Sequence, residues 1–275
     1  MEWNGFAGFL YGLLGGFFEF LPVSPQVHQA VFCKLLGLEW PGHGLALAVH
    51  IGCLLAVILA TYEKIGKLYR EQKIGKIPPK RRKRQPNIQS LIELRLLKVG
   101  AVPLTISCFF APWLYQYFSR LWVLAIMAVL SGVCILVPQY MSKANKDERS
   151  LSPLDAGLMG LGGMLGAIPG FSRVGMVSAV GSMRGADGRF CMDFTFLLSV
   201  PALLAWCIGD IAMLIMTDGA FPAFFHGMLA CLAAFGAAYG AIRFMKFLAV
   251  KNSFDGFAYY HWGLGIFTFI IYLIG

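Results

Sequence analysis

Long uninterrupted apolar segments recur along this 275-residue chain and constrain its fold more than any other feature. A helix needs about 20 apolar residues to cross the hydrocarbon core of a bilayer. Segments of that kind lie at roughly residues 44–62, 95–114, 120–140, 192–216, 222–248 and 255–274. Charged residues form 13% of the sequence, about half their share in a typical soluble domain. The pattern argues against a soluble enzyme or a disordered protein and predicts one all-α polytopic membrane domain over residues 1–275, with six transmembrane helices.

Two more apolar stretches, residues 6–36 and 155–184, are interrupted near their middles by polar and helix-terminating residues. The interrupting residues are Glu19, Pro22, Ser24, Pro25 and His28 in the first stretch and Pro169, Gly170, Ser172 and Arg173 in the second. Each half is too short to cross a bilayer. Non-helical backbone at membrane depth persists only where it is buried in protein or faces a water-filled cavity. Both stretches are therefore predicted to form re-entrant helical hairpins.

Positive charge is concentrated in the connection that follows the first span. The net charge is +9, and ten of the Lys and Arg residues fall between Lys64 and Arg84. Lys and Arg accumulate in cytoplasmic loops beside anionic headgroups. Residues 63–90 are therefore predicted to form a basic cytoplasmic loop, an interpretation that we prefer to nucleic-acid binding. Counting spans from this loop places the connections at 141–152 and 249–254 on the same side and both termini outside.

The predicted layout has internal symmetry. A hairpin entered from outside and three spans form residues 1–140, and a hairpin entered from the cytoplasm and three spans form residues 151–275. Inverted-topology repeats of this kind are typical of secondary transporters, whose sites lie near the midplane where the repeats meet. We therefore predict an inverted-topology repeat whose two hairpin tips meet near the midplane.

The first hairpin carries ionisable groups, which are costly inside a membrane and therefore indicate a functional site. Glu19 is a candidate ligand for a hard divalent cation or a candidate proton acceptor, and His28 is a candidate acid, base or nucleophile. The alternative is that this hairpin lies near the outer surface and that both side chains are simply hydrated. His50 and Asp210 are weaker candidates, for which packing and structural pairing are the alternative.

The second hairpin has the composition of an anion site. Gly170 lets the backbone approach a ligand closely. A helix that begins near Ser172 would direct free N–H groups and a positive dipole end at the same place. The guanidinium of Arg173 matches phosphate oxygens in a two-pronged arrangement. The prediction is a phosphate site, and the alternative is a helix kink with an arginine that extends to the membrane surface.

Five motifs, taken together, have counterparts in a known family. Two fall at the hairpin breaks, Glu19-Phe-Leu-Pro-Val-Ser24 followed by His28, and Pro169-Gly-Phe-Ser172-Arg173. The others lie in the spans, His50-Ile-Gly-Cys-Leu-Leu-Ala-Val, Asp193-Phe-Thr-Phe-Leu-Leu-Ser-Val-Pro201-Ala and Phe257-Ala-Tyr-Tyr260. As a set over almost the whole chain, they resemble the bacterial undecaprenyl-pyrophosphate phosphatase family of the bacitracin-resistance type.

The resemblance implies a phosphatase in the bacterial plasma membrane, with its active site open to the outer face. Such an enzyme removes one phosphate from a C55-isoprenoid diphosphate and regenerates the monophosphate carrier lipid for peptidoglycan synthesis. The implied cofactor is a divalent cation, Mg²⁺ or Ca²⁺, and the implied partners are the polyprenyl diphosphate and membrane lipids, without nucleic acid and with a homodimer left open. Carried over by position, the implied residues are Glu19, Ser24 and His28 for catalysis, Glu19 for the metal, and Gly170, Ser172 and Arg173 for substrate binding.

The chain departs from the family pattern within both hairpins. The departures are Gly15, Pro25, Val27, Gly163, Val174 and Val177. Gly15 stands where the family has Gln or Glu, and Gly163 stands at the equivalent Gln of the second repeat. Two functions therefore remain open at this point. The first is hydrolysis of the diphosphate, and the alternative is transport of a polyprenyl phosphate or another amphipathic anion on the same fold, with weakened or lost hydrolysis.

Overall fold

The computed structural model describes residues 3–141, 150–217, 224–249 and 255–274. Within these ranges the chain forms α-helices joined by short connections, two of which contain a 3₁₀ turn, and no β-strand. The helices are α1 Gly5–Glu19, α2 Pro25–Leu35, α3 Gly42–Lys76, α4 Ile88–Phe118, α5 Leu121–Leu136, α6 Pro153–Leu165, α7 Arg173–Met183, α8 Gly188–Met216, α9 Phe224–Ala249 and α10 Asp255–Ile274.

Six of the helices in the described ranges are long and apolar enough to cross a membrane. They are α3, α4, α5 with the 3₁₀ turn that follows it, α8, α9 and α10. Each corresponds to one of the apolar segments read from the sequence, so the prediction of an all-α polytopic membrane protein is confirmed. Many large apolar side chains on these helices stay exposed, among them Leu55, Ile106 and Phe269, as expected of surfaces that face lipid.

Each of the two interrupted stretches forms a pair of short helices. The first pair, α1 and α2, is broken at residues 20–24, where Ser24 caps the new helix and Pro25 occupies its first turn, a position that needs no backbone donor. The second pair, α6 and α7, is broken at residues 166–172, where Gly170 has a φ of 99° and Ser172 caps the new helix. That the pairs enter from opposite leaflets stays a prediction.

Close helix contacts repeat between the two halves of the chain. α1 packs on α9, and α6 packs on α4; likewise α3 packs on α9, and α8 packs on α4. Glycines permit this proximity, because a Cβ at Gly16 would collide with the Ala234 backbone and a Cβ at Gly160 with the Gly100 backbone. The two sets of contacts correspond when α1 is matched with α6, α3 with α8 and α9 with α4, each pair five helices apart in the chain. The inverted repeat, with its bounds of 1–140 and 151–275, stays a prediction that this packing agrees with.

The basic connection is shorter than the predicted loop of residues 63–90. Helix α3 continues to Lys76 and α4 begins at Ile88, because lysine, arginine and glutamate extend an exposed helix without cost in propensity. The remaining connection is tied to α3 by Glu71, whose carboxylate accepts hydrogen bonds from Arg84 Nη2 at 2.6 Å and from the Asn87 backbone N–H at 2.8 Å. Its position on the cytoplasmic side stays a prediction.

Candidate functional site

The two hairpin breaks meet through an ion pair between Glu19 and Arg173. The Arg173 Nη2 and Nε donate to Glu19 Oε1 at 2.7 and 3.2 Å, and Nη1 donates to Ser199 Oγ at 2.6 Å. The two charged side chains are 5% and 3% exposed. A carboxylate and a guanidinium so deeply buried are tolerated only because each satisfies the other. The sequence thus places both charges in apolar surroundings, and the fold joins them across 154 residues.

Ser172 provides a second connection between the breaks. Its hydroxyl donates to the Leu21 carbonyl at 3.1 Å and accepts the Gly175 backbone N–H at 3.0 Å, so one side chain caps α7 and binds the first hairpin. Its own N–H donates to Ser131 Oγ at 3.2 Å. Because Arg173 is the first residue of α7, its charge and the positive end of the helix dipole point to the same region.

His28, in contrast, is hydrogen-bonded to groups outside this ion pair. Its Nδ1 donates to the Ser24 carbonyl at 2.6 Å, and its Nε2 accepts from the Tyr260 hydroxyl at 2.8 Å. The ring stacks on Phe18 with a centroid separation of 3.5 Å. Both nitrogens of this imidazole are therefore engaged, and its face is covered by an aromatic neighbour.

A cavity opens beside Glu19 where α1, α2, α3, α4 and α8 come together. The polar side chains that line it include Glu19, Gln26, Gln29, His43, His50 and Asp210, and the second hairpin contributes Pro169. Tyr11, Gly15 and Glu19 line it from α1, because residues four apart lie on one helix face. His28 is not among its lining residues.

Three of these cavity residues form a cluster around one buried carboxylate. Asp210 Oδ2 accepts from His50 Nδ1 at 2.6 Å, and Asp210 Oδ1 lies 3.3 Å from His43 Nδ1. The ring of Trp206 lies 4.9 Å from that of His50. The cluster brings α3 and α8 together at the cavity wall.

Gln29 occupies the space that a side chain at position 15 would need. A Cβ on Gly15 would lie 2.5 Å from Gln29 Nε2, and the same Nε2 donates to the Tyr11 carbonyl at 3.4 Å. An amide from α2 therefore stands in the cavity where the family pattern has a Gln or Glu on α1.

The structure brings some of the predicted site residues together and separates others. Glu19, Ser172 and Arg173 converge, and Ser24 and Gly170 shape the turns that present them, whereas His28 is bonded to Ser24 and Tyr260 and does not line the cavity. The roles assigned to these six residues stay predictions. Sequence reasoning ranked His50 and Asp210 low and gave His43 no role. The spacing of seven residues between His43 and His50 places both on one face of α3, and this could have indicated that they act together. Their shared partner, Asp210, lies 160 residues beyond His50 and could not be inferred from spacing.

The donor set does not form a ready-made metal site. In the ranges that the structure describes, no group of three or more His, Cys, Asp or Glu side chains is arranged to hold a metal ion. The Oε1 of Glu19, the predicted metal ligand, is already bonded to Arg173. A cation here would need most of its ligands from elsewhere.

Comparison with known proteins gives a consistent result over nearly the full length. The family model described as bacitracin resistance protein BacA matches residues 8–267. A protein of Renibacterium salmoninarum named undecaprenyl-diphosphatase is 29% identical, with 98% of this chain and 96% of the relative covered. A protein of the same name from Methanobrevibacter smithii is 30% identical, with 95% of this chain and 95% of the relative covered. Another, from Neisseria gonorrhoeae, is 27% identical, with 97% of this chain and 94% of the relative covered.

Proposed function

This chain belongs to the bacitracin resistance protein BacA family, and on that premise we propose that it hydrolyses undecaprenyl diphosphate to the monophosphate within the membrane. The observation that carries the proposal is the Glu19–Arg173 pair, which joins the two hairpin breaks beside a cavity that also contains the side chains of His50 and Asp210. The relatives' names do not favour the transporter alternative.

Arg173 is the group best suited to hold the diphosphate. A guanidinium has five N–H donors in a planar fork, and three hydrogen bonds hold it in this structure. Because the side chain is 3% exposed, a headgroup gains access to it only if the pair opens. We expect the diphosphate to replace the Glu19 carboxylate as the partner of Arg173, with the dipole of α7 stabilising the same charge. Glu19 is then free to face the cavity.

We expect the cavity to open toward the outer face. His43 and His50 lie at the start of α3, whereas the basic connection follows its end at Lys76. The apolar span that contains His50 ends near Tyr62, 12 residues further on and about 18 Å along the helix at 1.5 Å per residue, which is more than half of the hydrocarbon thickness of about 30 Å. If the basic connection is cytoplasmic, the cavity lies in the opposite half of the membrane.

The proposed reaction also uses a divalent cation, Mg²⁺ or Ca²⁺. Mg²⁺ is commonly bound through one or two carboxylates together with substrate phosphates. Given the donor set, we expect a cation to enter together with the diphosphate. Cation binding should then saturate only in the presence of the diphosphate, which a calorimetric titration of Mg²⁺ with and without an unreactive diphosphate analogue measures.

The test is phosphate release by the purified protein in lipid nanodiscs supplied with undecaprenyl diphosphate and Mg²⁺ or Ca²⁺. Wild type should release inorganic phosphate. Arg173→Lys, which keeps the charge but loses the fork, should lose most of that activity, whereas Asp193→Asn, at an exposed ion pair with Lys246, should retain it. Folded wild type that binds the lipid without releasing phosphate would refute the proposal in favour of transport.

A homodimer stays a prediction, which the molar mass of the detergent complex tests.

A further inference from the structure

The cluster of His43, His50 and Asp210 lines the same cavity as Glu19, yet binding of the diphosphate by Arg173 gives it no role. Asp210 is 2% exposed, and both of its oxygens face imidazoles of α3. A buried carboxylate needs partners for its charge, and here the partners are two imidazoles at a cavity wall, a side chain that takes up and releases protons near neutral pH. The arrangement is therefore a candidate for more than packing.

Each imidazole of this cluster is hydrogen-bonded through Nδ1 in the described parts of the chain, and that of His50 makes the shorter contact, 2.6 against 3.3 Å, and is the more exposed, 14% against 7%. A carboxylate only accepts, so the 2.6 Å contact with Asp210 Oδ2 places a proton on His50 Nδ1. In the neutral ring the lone pair is then on Nε2, for which no hydrogen-bond partner is found in the described parts of the chain. The His50 side chain is 14% exposed and faces the cavity. Trp206 restricts the ring from one side.

His28 does not offer the same chemistry. Its Nδ1 and Nε2 are both hydrogen-bonded, to Ser24 and Tyr260, and its ring is stacked on Phe18. It would have to break the bond to Tyr260 and leave its aromatic neighbours before it could accept a proton in the cavity. Of the two imidazoles, His50 is the one that already faces the compartment of Glu19.

We propose that His50 is the general base of the reaction and that Asp210 is its positioning residue, an inference that rests on the proposed phosphatase function. A water molecule in the cavity attacks the terminal phosphorus, and His50 Nε2 takes one of its protons. A bond forms between the water oxygen and phosphorus, and the bond between that phosphorus and the bridging oxygen breaks. The electron pair of that bond goes to the prenyl monophosphate, which leaves. The proton passes from His50 to solvent after inorganic phosphate departs.

The role of Asp210 follows from the same contacts. By accepting from Nδ1–H it fixes the tautomer that presents the Nε2 lone pair, and it stabilises the imidazolium that forms. His43, at 3.3 Å from the other oxygen, holds the carboxylate in place. Asp210 touches neither water nor substrate in this scheme, so its effect should appear in kcat more than in KM.

The decisive variant is His50→Asn in the nanodisc assay with undecaprenyl diphosphate. The Asn amide can still donate to Asp210 from the position of Nδ1, so the fold is conserved while the base is removed. We expect kcat to fall by about 10²- to 10⁴-fold, the range for a general base, with little change in KM. His226→Asn, the same change at a half-buried imidazole on α9 outside the cavity, should stay within about twofold of wild type, well below the effect of losing a base. His28→Asn is the direct competitor and should lose less than His50→Asn.

Chemical rescue separates a base from a structural residue. His50→Ala vacates the ring position, and added imidazole should restore part of its activity but none of that lost in Arg173→Lys. Asp210→Asn should lower kcat by about 10²-fold or more because the wrong tautomer is favoured, and Asp210→Glu should recover part of the loss.

The outcomes distinguish this inference from the proposed function. If wild type hydrolyses the lipid and His50→Asn matches it, the inference is overturned and the phosphatase stands. The inference is overturned equally if His28→Asn is inactive and His28→Ala is rescued by imidazole while His50→Ala is not. If folded wild type releases no phosphate, both fall together.

Discussion

The buried pair of Glu19 and Arg173 gives the sharpest stability prediction. With the two charges about 4 Å apart at an effective dielectric constant near 20, their attraction is about 4 kcal/mol. Removing one partner of such a pair leaves the other charge buried and destabilises proteins by about 3–5 kcal/mol. Glu19→Gln should therefore lower the free energy of unfolding by about 3–5 kcal/mol, because the guanidinium is 3% exposed and its remaining acceptors, the Gln amide oxygen and the Ser199 hydroxyl, carry no negative charge.

Reversible unfolding in mixed dodecyl maltoside and sodium dodecyl sulfate micelles, followed by tryptophan fluorescence, measures this change. The double variant Glu19→Gln with Arg173→Gln removes both charges and should be less destabilised than the sum of the single variants by about 1–3 kcal/mol. Asp193→Asn is the matched control, because Lys246 and Asp193 are 35% and 47% exposed in their pair and such pairs contribute about 0–1 kcal/mol.

A Glu19→Gln variant whose free energy of unfolding lies within about 0.5 kcal/mol of wild type, the range of ordinary surface substitutions, would contradict a stabilising role for the pair. Strict additivity of the two single changes would refute it equally. Either result would mean that water or another group already satisfies the guanidinium, and that the hairpin breaks are not held together by this pair.

Three further predictions concern packing, capping and orientation. Gly16→Ala should destabilise the fold by about 1–3 kcal/mol, because its Cβ collides with the Ala234 backbone on α9 and overpacking has that cost; Gly236→Ala, in open space, is the control in the same micelle assay. Ser172→Ala should cost about 1–2 kcal/mol for the lost cap of α7, and a loss below the error of the assay would contradict the capping role. Trypsin should cut the basic run at residues 80–84 in inverted membrane vesicles and not in right-side-out spheroplasts; cleavage from outside would reverse the orientation.

The sequence by itself determined the membrane class, the six spans and the two interruptions. Uninterrupted apolar segments of about 20 residues predict helices, because every N–H and C=O must be paired in lipid and a helix pairs them within one segment. Proline, glycine and serine at residues 22–25 and 169–172 end helices through local geometry alone. The approximate symmetry of the two halves was also enough to predict that the breaks come together, as Glu19 and Arg173 do.

Only the tertiary structure decided which side chains share the cavity. His28 lies within about one turn of Ser24, and the direction of its ring depends on how α2 packs against Phe18 and Tyr260, which no local pattern encodes. Asp210 meets His50 across 160 residues, because α3 and α8 pack side by side. Hydrophobicity determines which segments enter the membrane. The rotation of each helix about its axis is set by contacts with its neighbours, and that rotation determines that His50, and not His28, lines the cavity.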